Sequence, residues 1–248
     1  MRARVPDTLV TLLRELWAAV AADRRLLRLS VLGLAVVSVS GLLVAKLLDD
    51  VMGADGATGA DPTITNWIVG HRTHTLTTAA RLVTHLGDPL AVVSVAVAAV
   101  GLLLARRHRH LALLIAVSTA GAAIATTVAK FAIQRPRPDA SLWLGAASGP
   151  AFPSGHATQS VALYAAIAVA GVRLTSHVWA KAAFTVTAAL VALAVGGSRL
   201  YLAVHWTSDV LCGWAVATAW LGTLLLVGWS RPRLVEAWRT GAPGRAAL

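Results

Sequence analysis

Six stretches of roughly 17–25 mostly apolar residues dominate this chain, at about 29–48, 88–105, 111–130, 154–172, 182–199 and 207–228. A helix of that length crosses the hydrocarbon layer of a bilayer, where a helix satisfies every backbone polar group within its own segment. With 57% hydrophobic and 13% charged residues in 248, the chain has too little polar surface for a soluble domain of this size. The expected fold is all-α: a six-transmembrane helical bundle with an N-terminal interfacial helix and an outer amphipathic helix. Residues 1–248 are expected to form one integral-membrane domain, divided into an interfacial helix (1–28), a six-span core (29–228) and a tail (229–248).

An even number of spans puts both termini on one side. The termini, with the loops 106–110 and 173–181, hold 15 of the 22 Lys and Arg but only Asp7, Glu15, Asp23 and Glu236. The formal charge of +11 is therefore carried entirely on that side, which the positive-inside bias makes cytoplasmic. Basic residues dispersed in this way between apolar runs make no continuous face for nucleic acid, so no nucleic-acid partner is expected. The single cysteine, Cys212, forms no intrachain disulfide and is read as a packing residue. The first apolar run lacks a small-x-small cleavage site and is read as a retained anchor.

Ahead of it, Leu9, Leu12, Leu13, Leu16, Trp17 and Val20 recur at helical spacing, as expected of a helix lying in the cytoplasmic interface. The Gly/Asp-rich stretch 49–62 reads as an outer loop. Residues 63–86 read as an amphipathic outer helix with Trp67, Leu76, Leu82 and Leu86 among its apolar contacts. Asp88-Pro89 has the chemistry of an N-cap followed by a first-turn proline.

Three polar clusters stand at ends of the apolar segments, and the six-span topology puts all of them on the outer side. Lys130 ends one run and is followed by two Arg-Pro pairs, where proline forces the chain out of helix. Arg137 offers a planar fork for phosphate oxygens, and Lys130 a mobile point charge. Lysine and arginine at a span end also snorkel to headgroups, the role expected of Arg135. Pro153-Ser154-Gly155-His156 opens a helical run with Ser154 at the N-cap, where unpaired amides make an anion site. His156 lies one step inside it, within reach of a leaving oxygen. Ser198-Arg199 precedes His205 and Asp209, which share a helix face four residues apart. A carboxylate on one ring nitrogen fixes the tautomer and leaves the other lone pair ready to attack. The remaining histidines, His71, His74, His85, His108, His110 and His177, lack such a setting and are read as surface groups.

The pattern Lys130-x6-Arg137-Pro138, Pro153-Ser154-Gly155-His156, Ser198-Arg199-x5-His205-x3-Asp209 resembles the type 2 phosphatidic acid phosphatase superfamily, in its bacterial integral-membrane branch. The resemblance implies a metal-independent membrane phosphatase without cofactor. In it His205 attacks phosphorus to form a phosphohistidine, Asp209 orients the ring, and His156 protonates the departing oxygen. Lys130, Arg137, Ser154, Gly155 and Arg199 would bind the phosphoryl oxygens. The implied partners are the bilayer and a lipid phosphate such as an isoprenyl diphosphate, phosphatidic acid or phosphatidylglycerol phosphate. A lipid head-group phosphotransferase and a non-catalytic lipid-binding or transport protein are the competing readings, and neither the physiological lipid nor the oligomeric state follows from the residues.

Overall fold

The computed structural model describes residues 24–53 and 55–240. All regular structure among them is helical: α1 Arg24–Gly53, α2 Ala57–Gly70, α3 His74–Thr84, α4 Pro89–Ala105, α5 Arg109–Ile133, α6 Gly155–Leu174, α7 Val178–Tyr201 and α8 Thr207–Thr240, with short 3₁₀ turns at His85–Gly87 and Ala140–Leu142. The expected interfacial helix falls largely on residues 1–23 and the end of the expected tail on 241–248, outside the described residues.

Among the described residues five helices are long and apolar enough to cross a membrane, and a sixth crossing arises if α3 with its 3₁₀ turn and α4 count as one span bent by 51°. Their outward faces are apolar, with Leu90, Phe131 and Trp179 at least 76% exposed, as befits surfaces that meet lipid rather than water. Residues 39–221 form one compact unit, which holds the candidate site. The described residues before and after it belong to another, in which Gly33 faces Leu226 and Gly222 faces Val37.

Small residues set how closely the helices approach, the usual device where no hydrophobic force acts between helices in lipid. Ala122, Ala162 and Ala217 of α5, α6 and α8 are fully buried against one another. Trp220 lies flat against Gly121, and Ser118 Oγ donates to Ala162 O at 2.8 Å. At Gly213 of α8 the close neighbour is backbone rather than a side chain: a Cβ would stand 2.8 Å from the backbone oxygen of Ser154.

Two expectations for the region before α4 need correction. Residues 49–62 are helical on both sides of a turn at Gly56, whose φ of 54° combined with ψ of −125° favours a residue without a side chain. Asp50 and Asp61 there are 1% exposed: Asp50 pairs with Lys46, whose own side chain stays exposed, and Asp61 with Arg135 and buried Ser208. Residues 63–86 are two helices, not one. The chain breaks after Gly70, where Arg72 turns inward to donate to Tyr201 O at 2.9 Å and Leu142 O at 2.8 Å, and Thr73 caps α3 through Leu76 N–H. Trp67, Leu76, Leu82 and Leu86 are exposed, with Trp67 stacked on His71 at 4.4 Å between ring centroids.

Gly213→Ala pushes a methyl into backbone that has no rotamer to yield, so it is expected to cost about 1–3 kcal/mol of stability. Gly155→Ala meets only Thr126, at an ordinary 3.7 Å, and should unfold like wild type. Thermal unfolding of both variants in detergent checks this pair.

Candidate active site

α5 ends at Ile133, where Gln134 adopts the left-handed conformation (φ 52°) and returns its N–H to Lys130 O. Pro136 and Pro138 then keep the chain extended. Residues two apart in extended chain share a side, and Arg135 and Arg137 both reach the start of α8. Arg137 Nη1 lies 3.0 Å from His205 Nε2, while its other nitrogens donate to Gly149 O and Ser148 O, each at 2.9 Å. Lys130 Nζ donates to Pro150 O, which also accepts from Arg137 Nη2 at 3.3 Å.

His205 closes the turn between α7 and α8, held by Leu202, Ala203 and Val204, all fully buried, with Ala203 at a positive φ of 54°. The ring is 2% exposed, and its Nδ1 lies 3.3 Å from Asp209 Oδ2. A guanidinium only donates, so Nε2 must accept from Arg137 and Nδ1 carries the hydrogen shared with Asp209. Burial lowers the pKa of His205 to about 3, with the charges of Arg137 and Arg199 acting in the same direction and Asp209 opposing. Its neutral form, with the lone pair on Nε2, is therefore the state present at ordinary pH.

Asp209 is itself fully buried and accepts at both oxygens. Oδ2 takes the Trp206 N–H at 2.9 Å, the reciprocal half of a capping box at the head of α8, as well as the imidazole. Oδ1 takes Arg135 Nη1. Arg135 is thus no headgroup contact: its side chain is 12% exposed, and Nη2 donates to Asp61 at 2.8 Å. Asp61 in turn accepts the Ser208 N–H at 3.0 Å and the Ser208 hydroxyl. Nothing in the sequence marked Asp61 or Arg135 for this role, because their partners lie more than seventy residues away.

The start of α6 is tied to the same place by Ser154 N–H, which donates to Asp209 O at 3.0 Å. Ser154 occupies the N-cap position but its fully buried hydroxyl makes no cap bond. Among the described residues Ser154 Oγ and the Nε of Arg199, itself 4% exposed, are buried without a hydrogen-bond partner. Orphaned buried groups are costly, and two in a nest of cations are what an anion would satisfy. The charges of Arg137 and Arg199 act on both His156 and His205, so the three sequence clusters meet in one place.

His156 has a partner of its own. Its Nε2 lies 2.8 Å from Asp88 Oδ1, and Asp88 Oδ2 lies 2.6 Å from His85 Nδ1. Asp88 does precede Pro89 at the head of α4, but its side chain makes no cap bond, and His85 is the exposed surface group expected of it while also reaching this carboxylate. The same turn receives Arg199 Nη1 on Thr84 Oγ1 at 2.7 Å and Tyr164 OH on Leu86 O at 2.9 Å. Tyr164 stands in a π-helical turn, Val161–Ala165, within α6. An apolar groove of about 680 Å³ runs between α4 and α5 past Val97, Val93, Ala120 and Ala123 and ends at Gly155 and His156. Among the described residues no three His, Cys, Asp or Glu side chains are grouped as metal ligands.

Arg135→Ala strands two buried carboxylates, so a loss of about 3–5 kcal/mol in unfolding free energy is expected by denaturant titration. Arg137→Ala strands no carboxylate, only His205 Nε2 and loop carbonyls, and should cost less, about 1–2 kcal/mol. His205 also predicts a pH dependence. Unfolded chains take up its proton below about 6.5 and the folded protein only near 3, so acidification across that window favours unfolding. Stability should fall with pH there, and less steeply in His205→Gln.

Residues 111–233 match the PAP2 superfamily, a segment that holds Lys130, Arg137, the start of α6, Arg199, His205 and Asp209 but neither Asp61 nor Asp88. A transmembrane PAP2 type phosphatidylglycerolphosphate phosphatase from Bacillus subtilis superposes with a TM-score of 0.66 at 27% identity, over 78% of this chain and 96% of that one. LpxE from Aquifex aeolicus shares the fold, with a TM-score of 0.51 at 18% identity over 68% of this chain and 94% of that one. No curated protein sequence gives a significant match. The family match, the helical architecture shared with a transmembrane relative and the three motifs meeting in one buried site lead to one assignment: this chain belongs to the PAP2 superfamily.

Proposed function

We propose that this protein is a metal-independent phosphatase of lipid phosphates that works through a phosphohistidine. The observation that carries the reading is His205: a buried, neutral imidazole with its lone pair on Nε2, facing Arg137 beside two unpartnered anion-binding groups. A substrate phosphoryl group would take over the guanidinium of Arg137, expose Nε2 and recruit Ser154 Oγ, the Gly155 amide, Lys130 and Arg199 Nε to its oxygens. Those donors stand where charge concentrates during transfer, the part a magnesium ion plays in other phosphoryl transfers.

In the first step Nε2 attacks phosphorus and the bond to the lipid oxygen breaks, its electrons leaving with that oxygen. Protonated His156 supplies the proton that makes it a neutral alcohol. Asp209 stabilises the positive charge that His205 acquires. In the second step neutral His156 takes a proton from water as the water attacks phosphorus, and the phosphorus–nitrogen bond electrons return to Nε2. Inorganic phosphate leaves, and both histidines are restored.

The apolar groove ending at His156 suits a lipid tail, which would lie between α4 and α5 with its phosphate at the motifs. Phosphatidylglycerol phosphate is the first substrate to test, given the activity named for the Bacillus subtilis relative, with phosphatidic acid and isoprenyl diphosphate beside it. The distribution of basic residues supports six crossings with both termini cytoplasmic and the site at the outer face.

Purified protein in detergent micelles is expected to release phosphate from at least one of these lipids with chelator in excess, and His205→Ala to release none. Activity lost to the chelator, or retained by His205→Ala, would contradict the reading.

A further inference from the structure

The turn Thr84–Asp88 brings polar groups to His156 and Arg199 from outside the segment matched to the family. That turn is built against the site. Gly87 packs so closely that a Cβ would stand 3.1 Å from His156 Cβ and Cδ2 and 2.7 Å from Val195. Tyr164 OH fixes Leu86 O, and Thr84 receives Arg199. The 51° bend between α3 and α4 sets Asp88 at the groove end, between Gly87 and Pro89, which line it with His156.

We propose that Asp88 is the positioning residue of the acid–base histidine: its carboxylate holds Nε2–H of His156, so that Nδ1 carries the proton to the leaving oxygen and takes the next one from water. This rests on the function proposed above. A carboxylate on one nitrogen of an imidazole fixes which nitrogen exchanges protons and stabilises the imidazolium form that must be present when the lipid oxygen departs. His85 holds the second oxygen of Asp88, which keeps the carboxylate from rotating away. The site thus contains two imidazole–carboxylate pairs used in opposite senses. Asp209 takes Nδ1 of His205 and leaves Nε2 to attack phosphorus, whereas Asp88 takes Nε2 of His156 and leaves Nδ1 for the proton.

The electrostatics around His156 explain why a partner is needed. Arg199 from α7 and Arg137 from the loop after α5 both bring positive charge to the ring, and Asp88 is the carboxylate bonded to it. Without Asp88 the imidazolium would face two guanidiniums alone, and the proton needed at the leaving oxygen would be hardest to hold.

The test separates proton donation from mere support of the fold by varying the leaving group. Dodecyl phosphate and dodecanoyl phosphate carry the same tail, but an alkoxide needs a proton to depart and a carboxylate does not. The kcat/KM of each covers the steps up to the first product, and their ratio does not depend on how much of a preparation is folded. Asp88→Asn is expected to lower kcat/KM for dodecyl phosphate by about 10²-fold and for dodecanoyl phosphate by less than about tenfold, so the ratio of acyl to alkyl rises at least about tenfold. An unchanged ratio would overturn the proposal, whatever the size of the loss. Should Asp88→Asn fail to fold, Asp88→Ser, which keeps a short polar side chain at the head of α4, is read in the same way. Wild-type protein inactive on both compounds would overturn the phosphatase reading itself, whereas active wild type with an unchanged ratio removes only the role of Asp88.

Discussion

The carboxylate of Asp209 is the contact on which the rest of the site depends. It is fully buried, yet it accepts a ring N–H from His205, a backbone N–H from Trp206 and a guanidinium from Arg135, and its backbone oxygen receives Ser154 N–H. One residue thereby fixes the tautomer of an imidazole, starts α8, anchors the chain leaving α5 and holds the first turn of α6. A buried charge is tolerable only when its partners are this complete, and Asp61, through Arg135 and Ser208, completes them.

This dense knot sits in a fold whose other contacts are weakly directional. Alanine, glycine and serine let α5, α6, α7 and α8 approach, and much of the remaining apolar surface faces outward. In lipid such packing has no hydrophobic drive between helices, so position along the helices is set by polar contacts at their ends. Gly213, which presses α8 against the Ser154 carbonyl, joins the two: the close approach that packs the bundle also brings the α6 N-terminus up to Asp209.

How much of this was legible in the sequence depended on range. Lys130, Arg137, His156, Arg199, His205 and Asp209 stand out because charged and titratable groups are costly in apolar surroundings and here recur at helix ends. His205 and Asp209 are four residues apart and are expected on one helix face, but His205 lies in the turn before α8, and the cap that Asp209 forms with Trp206 N–H brings carboxylate and ring together. Asp61, Arg135 and Asp88 are different. Each has an unremarkable local setting, a Gly/Asp-rich stretch, an Arg-Pro pair and an apparent N-cap, and each takes its role from partners 68 to 74 residues distant. The break at Arg72 and the π-helical turn that offers Tyr164 to Leu86 likewise have no periodic signal, since both are set by tertiary bonds to Tyr201 and to the α3–α4 turn.

A structure of the protein with bound vanadate, which mimics five-coordinate phosphorus, tests the central claim most directly. The account places vanadium at bonding distance from His205 Nε2, its oxygens on Arg137, Arg199, Lys130, Ser154 and the Gly155 amide, and His156 beside the apical oxygen on the groove side. Vanadate bound away from His205, or held with Arg137 still on Nε2, would contradict it.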